Sequence, residues 1–495
     1  MNRRPLLFVV PILLAAAVLL CAHSSLAKRA AQRLAPAAGQ STSPAAEAKP
    51  ASSASDPQFS LEIRRFGVTV DMFRQRALLS RLDEVGPSGQ LLPQDPKEYP
   101  WSSRDRSTAT RLRENNVFEY ALRGWVDFWP IPVIVAGPPR DVHDSSADRM
   151  ATHISAADNG AGVTNAIYIR LDEMHTEHGD DVQKVLFDFF ERHPDLPAAL
   201  VLIEDGLRTR AYMRSPGANY LDMATKDGNA VPKKPDSFVT LLVTRKDRVD
   251  RMIRPYVVKT PEQISSDDTK YDVIKLWNYF WAQQSAYRAA KEGNEEMPWD
   301  YWQKKLPEFW SKNSIHIPQG FKPNPWVPVP WTDWQLKEYD NAPVLAHLHR
   351  PIEINLSDTN GQPLKKAERI AKIREGWAQA QATLTTGDVP SRIFYDTGSI
   401  PGALPLLVQS LHDNAQHIDL DDPKDAFDMA RRIGDTGVSS QWVQIAMALM
   451  RGYGDGKTSA AIDMRDPLRA SIIMVTPPAE ASRKAAPQLF SFEVS

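Results

Sequence analysis

Four apolar runs of strand length constrain this chain most: residues 131–136 (IPVIVA), 198–203 (AALVLI), 238–243 (FVTLLV) and 470–475 (ASIIMV). A strand without polar alternation must be covered on both faces. Between such runs lie stretches of helical period. Val182, Val185, Leu186, Phe189 and Phe190 recur at i, i+3, i+4, i+7 and i+8, which gives a helix one apolar face. Asp180 is expected to cap its start, and the residue before Pro194 is pushed out of the helical region, which ends it. Strands alternating with helices predict α/β layers around a largely buried sheet.

Further strands are expected at 59–63, 66–70, 166–171, 351–356 and 391–395. Helices are expected at 105–128, with Leu112, Phe118, Leu122, Trp125 and Val126 as apolar positions, at roughly 270–312, at 364–384 and at 401–416. Another helix carries Trp442, Ile445, Ala446, Leu449 and Met450 behind a Ser439 or Ser440 cap, whereas DAFDMARRIG before it reads as helical. The succession strand, long helix, strand-to-turn, helix, strand occurs twice. The predicted fold is therefore α/β, with two tandem domains of similar layout at 59–260 and 341–478. A helical and Trp/Pro-rich connector at 261–340 joins them, and 479–495 forms a tail.

Residues 298–334 hold seven prolines and six of the chain's 13 tryptophans. Proline interrupts ladders, so an extended, ordered connector is expected there, with its rings packed against a domain. Trp326, Trp331 and Trp334 are candidate protein-binding residues, since tryptophan is enriched in interface hot spots. Stacking on a glycan and closure of the chain's own core are the other readings.

The N-terminus is of another kind. Leu6 to Cys21 reads LLFVVPILLAAAVLLC, longer than the core of many signal peptides and shorter than the roughly 20 residues of a spanning helix. Residues 1–27 are a signal peptide, cut after Ser25-Leu26-Ala27, or an uncleaved signal-anchor. Arg3 and Arg4 on one flank oppose Lys28, Arg29 and Arg33 on the other, so the positive-inside rule leaves the direction open. Residues 28–58 lack aromatics and are expected to be a disordered tether.

Net charge is −2 and there is no long basic block, which argues against nucleic acid as a partner. Cys21 is the only cysteine. The body therefore has no thiol nucleophile, disulfide or Cys-ligated metal.

Several motifs look catalytic and fail on their own chemistry. Asp396-Thr397-Gly398-Ser399 and Asp435-Thr436-Gly437 suggest an aspartic protease dyad, which needs two carboxylates sharing one proton. Turn chemistry accounts for both, with Gly supplying positive φ and Asp bonding the turn. The stretch from Gly452 to Thr458 ends like a P-loop, but Arg451 stands at its first glycine and a helix precedes it; a helix end is expected. His175-Thr176-Glu177-His178 and His347-Leu348-His349 lack a third metal ligand nearby. No Gly-x-Ser-x-Gly elbow is present. No catalytic, cofactor-binding or metal-binding residue is assigned.

One resemblance remains. Residues 59–70, Leu92-Pro93-Gln94-Asp95-Pro96 with Tyr99-Pro100-Trp101, and Trp129-Pro130-Ile131-Pro132 leading to Gly137-Pro138-Pro139-Arg140 resemble the type VI lipase adapter family. So do Leu186-Phe187-Asp188-Phe189-Phe190 with His193-Pro194-Asp195, and the stretch from Arg248 to Pro255. The resemblance implies a non-enzymatic protein that needs no cofactor. Its partners would be a phospholipase (lipase) effector and the type VI secretion spike onto which that effector is loaded. The N-terminal segment would place the chain at the bacterial inner membrane through residues 6–21 if these stay uncleaved. An adapter role implies a cytoplasmic body, and export a periplasmic one. A cell-envelope hydrolase and a glycan-binding envelope module are the alternatives.

Overall fold

One mixed sheet of antiparallel and parallel ladders, whose two ends are built alike, runs through the body. The computed structural model describes residues 58–485 apart from 87, 140–166, 207–208, 211–230, 262–263, 292–296, 399, 413–414, 416–417 and 421. The predicted membrane segment and tether lie outside the described residues. Among the described residues, no helix is long and apolar enough to cross a membrane.

All twelve strands of the described residues belong to this sheet. Ten run in the order β10-β9-β11-β12-β7-β1-β6-β5-β3-β4, while β2 pairs with β1 and β8 with β12.

The strands are β1 (Ser60–Val70), β2 (Phe73–Arg74), β3 (Pro130–Gly137), β4 (Ile167–His175), β5 (Ala198–Asp205) and β6 (Ser237–Thr244) in the first half. In the second they are β7 (Ala346–His349), β8 (Ile352–Asn355), β9 (Arg392–Asp396), β10 (Ala426–Asp428), β11 (Ser459–Asp466) and β12 (Arg469–Thr476). The four apolar runs fall in β3, β5, β6 and β12. Every residue of β3, β5 and β6 is buried, as continuous apolar strands require.

The repeated layout seen in the sequence takes a definite form. With the short off-path strands β2 and β8 set aside, in each half the first strand borders the last, the last borders the fourth, the fourth the second, and the second the third (β1-β6-β5-β3-β4 and β7-β12-β11-β9-β10). The senses repeat too. β1/β6 and β6/β5 are antiparallel, and β5/β3 and β3/β4 parallel. β7/β12 and β12/β11 are antiparallel, and β11/β9 and β9/β10 parallel. The halves meet where β1 runs antiparallel to β7, Ser60 opposite His349 and Ile63 opposite Ala346. The two α/β halves thus share one sheet.

Each half inserts a helix between its third and fourth strands: Asp180–Arg192 and Ser440–Asp455. Nearly every residue of the second is buried, from Ser440 to Met450 and again at Gly452 and Tyr453. Gly456 closes it, its N–H reaching the Gly452 carbonyl at 2.8 Å, so the P-loop-like stretch is the helix end that the sequence suggested. The two helices touch near their N-termini. Trp442 Nε1 donates to the Gly179 carbonyl at 2.8 Å, and Gln183 Nε2 donates to Gln441 Oε1 at 2.9 Å. A Cβ on Gly179 would lie 1.9 Å from the Val438 carbonyl oxygen.

Some expectations are corrected. Asp180 does not cap its helix; Gly179 holds the N-cap position and Asp180 is the first helical residue, its carboxylate turned to Arg469. The helix expected at 105–128 spans Ser103–Leu122 and starts from a Ser102/Asp105 capping box. Leu112 on it is 53% exposed, not core. DAFDMARRIG is split between β10 and a short helix, Met429–Ile433. Residues 298–334 are extended only in part, since Trp299–Lys312 is a helix with Pro307 inside it.

Gly179→Ala should destabilise the fold by about 1–3 kcal/mol, because the added methyl overpacks a closed contact. Urea unfolding of this variant beside Gly454→Ala, an exposed helical glycine where a Cβ meets nothing within 4 Å, separates crowding from any backbone effect.

Candidate functional site

The C-terminal ends of β5, β9 and β11 converge on the N-termini of the two central helices, the region where open α/β sheets commonly bind ligands. Here the chain places an unusual density of charge. Asp205 ends β5, Asp396 ends β9, and β11 carries Asp463, Arg465 and Asp466. Glu177, His178, Asp180, Asp463, Arg465, Asp466 and Arg469 line a cavity of about 170 Å³.

Both Asp-Thr-Gly sequences are turns of the expected kind. Gly398 has φ +56° and Gly437 φ +59°. The Gly398 N–H donates to Asp396 Oδ1 at 2.7 Å, and the Gly437 N–H to Asp435 Oδ1 at 2.9 Å. What the sequence did not reveal is that both turns face one arginine. Arg465 Nη2 donates to Asp435 Oδ1 at 3.0 Å, and its Nε lies 3.6 Å from Asp396 Oδ2. Arg465 Nη1 also donates to the Gly437 carbonyl, and Ser440 Oγ donates to Asp396 Oδ2. Lys234 Nζ is 2.5 Å from Asp435 Oδ2.

A second knot adjoins the first. Arg210 donates from Nε and Nη2 to both oxygens of Asp205, at 2.7 and 2.8 Å, and from Nη1 and Nη2 to Glu177 at 2.9 and 2.6 Å. Asp205 Oδ2 also accepts the Val438 N–H at 2.8 Å. Asp205 therefore holds the start of the second half's central helix from the end of a first-half strand. Arg469 Nη2 reaches Asp180 at 2.6 Å and Asp181 at 2.7 Å, a reciprocal tie from β12 to the first half's helix.

Burial shapes the electrostatics. It raises the Asp463 carboxyl to about 7, against the pull of Arg465, and raises Asp396 and Asp180 as well. For Arg465, burial opposes the charge but is outweighed by Asp463, Asp396 and Asp435, so its pKa is raised. Hydrogen bonding to Arg210 lowers Glu177. The cluster holds carboxylates against guanidiniums and backbone N–H groups. Asp396 and Asp435 sit on a shared arginine, an arrangement unlike two carboxyls sharing one proton.

The histidines are placed as follows. His349 is buried between the Thr383 carbonyl, 2.9 Å from Nδ1, and Thr476 Oγ1, 3.0 Å from Nε2. Burial pushes its imidazole down to about 4, which leaves it neutral at ordinary pH. His175 Nε2 lies 2.8 Å from Glu173 Oε1, and His178 Nε2 3.6 Å from Asp466 Oδ2. Among the described residues no group of three or more His, Cys, Asp or Glu side chains could hold a metal ion.

Trp326, Trp331 and Trp334 are 2%, 1% and 8% exposed. Trp326 stacks on Trp299, centroids 3.7 Å apart and rings 4° from parallel, and meets Phe189 edge-on at 5.3 Å. Trp331 meets Trp129 edge-on at 5.0 Å, and Trp334 meets Phe128 at 6.2 Å. Trp129 Nε1 donates to the Trp326 carbonyl at 3.0 Å. This packing fits the reading in which the rings close the chain's own core.

Sequence reasoning missed β11 and with it Asp463, Arg465 and Asp466. Its small residues, SAAIDMRD, give little hydrophobic signal; the available clue was Asp-Pro-Leu-Arg, a short turn leading into the apolar run of β12.

Two comparisons bear on this architecture. Residues 59–226 match the family described as Type VI lipase adapter protein Tla3, N-terminal, and residues 345–477 its C-terminal counterpart. Among solved structures, the ishigamide ketosynthase/chain length factor is 10% identical with a TM-score of 0.43, covering 85% of this chain and 100% of that one. Acetamide-bound OleA of Xanthomonas campestris is 11% identical with a TM-score of 0.38, covering 85% of this chain and 99% of that one. These structural likenesses are too loose to carry chemistry across.

Arg465→Ala should cost about 3–5 kcal/mol, since it strands buried carboxylates; denaturant midpoints against Lys372→Ala, an exposed lysine, measure it. A pH series tests Asp463. Its folded pKa, about 7, exceeds the ordinary 3.8, so the folded state binds the extra proton between those values. Stability from this group is fully present at low pH and is lost as pH rises through 7. Melting curves from pH 5 to 8 should show a shallower loss of stability in Asp463→Asn than in the parent.

Proposed function

The chain belongs to the type VI lipase adapter protein Tla3 family, and from that premise we propose that it is a non-enzymatic adapter. It binds a phospholipase effector and helps load it onto the type VI secretion spike. The observation that carries this reading is the pair of family matches, 59–226 and 345–477, one to each half of the sheet. The charged cluster supports it, because its carboxylates are engaged in arginine and backbone contacts that join the two halves. Adapter binding then uses the outer surface of a body whose polar interior is committed to holding it together.

The same reading places the body at the inner membrane. Residues 6–21 tether it there, and the body faces the cytoplasm, where an effector awaits loading. A reporter fused after Ser495 that is active in only one compartment tests this placement; activity on the periplasmic side alone overturns it.

The adapter role is tested by mixing the purified chain with a type VI phospholipase effector and a type VI secretion spike protein. Co-elution of the chain with both partners is expected, with no hydrolysis of phospholipid by the chain alone. Absence of binding to either partner would sink the reading, as would ester hydrolysis that disappears in Asp396→Ala while the melting transition persists.

A further inference from the structure

Arg392 opens β9, the strand whose other end carries Asp396 into the charged cluster. Around Arg392 lies a second polar cavity, of about 640 Å³, whose lining includes five cations: Arg392, Lys424, Arg432, Arg451 and Lys457. The carboxylates that line it are engaged. Asp83 pairs with Arg451, and Asp455 with Arg392. Asp422 accepts the Lys424 N–H at 2.8 Å, and Asp425 accepts the Asp419 N–H at 3.3 Å. The Lys424, Arg432 and Lys457 side chains differ, for none of the three has a carboxylate partner among the described residues.

Arg432 is the informative one. It is 4% exposed, and its guanidinium makes one hydrogen bond, from Nη2 to the Pro423 carbonyl at 3.0 Å. Buried charges are ordinarily paired or fully hydrogen-bonded. Arg248 shows how this chain seats a buried arginine that lacks a carboxylate: it donates to the Phe190, His193 and Leu196 carbonyls at 2.7, 2.8 and 2.9 Å. Arg432 has no such set. Burial outweighs the nearby Tyr395, Asp428 and Asp83 and lowers its pKa.

A second guanidinium stands close by. Arg432 and Arg451 both lie over the Phe427 ring, 4.7 and 5.7 Å from its centroid. Arg451 Nε is buried without a hydrogen-bond partner. Two like charges gathered beside one ring repel each other unless an anion joins them. Guanidiniums suit the oxygens of a phosphate, which they bond in parallel pairs. Three cations without carboxylate partners favour more than one negative charge. The volume falls within the roughly 300–1,000 Å³ of small-molecule pockets, so an organic body can accompany the anion.

We propose that this cavity binds a phosphate dianion, free or as the head of a small phosphate monoester, with Arg432 and Arg451 as its guanidinium contacts and the exposed Lys424 and Lys457 at its rim. The inference does not rest on the adapter reading.

Calorimetric titration of the full chain with inorganic phosphate, glycerol phosphate and acetate, at constant ionic strength, tests it. Saturable binding of at least one phosphate probe at a single site is expected, with the other competing for it. The tighter of the two tells whether free phosphate or an ester is the source. Arg432→Gln should weaken binding about tenfold or more, and Lys424→Gln/Lys457→Gln about fivefold, since charge-assisted bonds are lost. The lysine pair is exposed, so it decides the matter even where Arg432→Gln does not fold. Binding of neither phosphate probe overturns the proposal. Binding that the variants retain at full strength also overturns it, because the anion then sits elsewhere. Acetate affinity equal to that of phosphate overturns the assignment to a dianion.

Discussion

The close approach of two helix N-termini at the centre of the sheet is the constraint on which this structure depends. Gly179 has no side chain where the Val438 carbonyl passes, and its own carbonyl accepts the Trp442 indole N–H. A larger residue at 179 would separate the helices and open the core between the halves. Around this contact two charged ties cross from one half's strand ends to the other half's helix. Asp205 of β5 takes the Val438 N–H, and Arg469 of β12 takes Asp180 and Asp181.

This explains why so many ionisable groups are tolerated in the interior. A buried carboxylate without a partner is costly, and removing one member of a buried pair strands the other. Asp205 and Asp396, both buried, each have a cation and a backbone N–H nearby. The energetic benefit of such a cluster over an apolar core is small. What it adds is direction, because hydrogen bonds fix how one half registers against the other while apolar packing alone would permit sliding.

Much of the fold was legible in the sequence. Continuous apolar runs must be buried strands, so β3, β5, β6 and β12 could be read directly, as could the helix Asp180–Arg192 from its 3.6-residue period. The repeated succession of elements foretold two halves of like layout. The Asp-Thr-Gly turns were also readable, because positive φ at glycine and an aspartate two residues earlier are local properties. The strand β11 was not, since alanine and serine say little about burial, and the cluster it carries went unseen with it.

The sequence by itself determined the local events: which segments are strands or helices, where turns fall, and that the body has no thiol. These depend on neighbours along the chain. Only the tertiary structure decided that the ten main strands form one sheet through the β1/β7 pair, that two distant turns share Arg465, and that Trp326, Trp331 and Trp334 face inward. Those outcomes depend on contacts between residues far apart in sequence, where hydrophobic period and turn chemistry carry no information about partner or register.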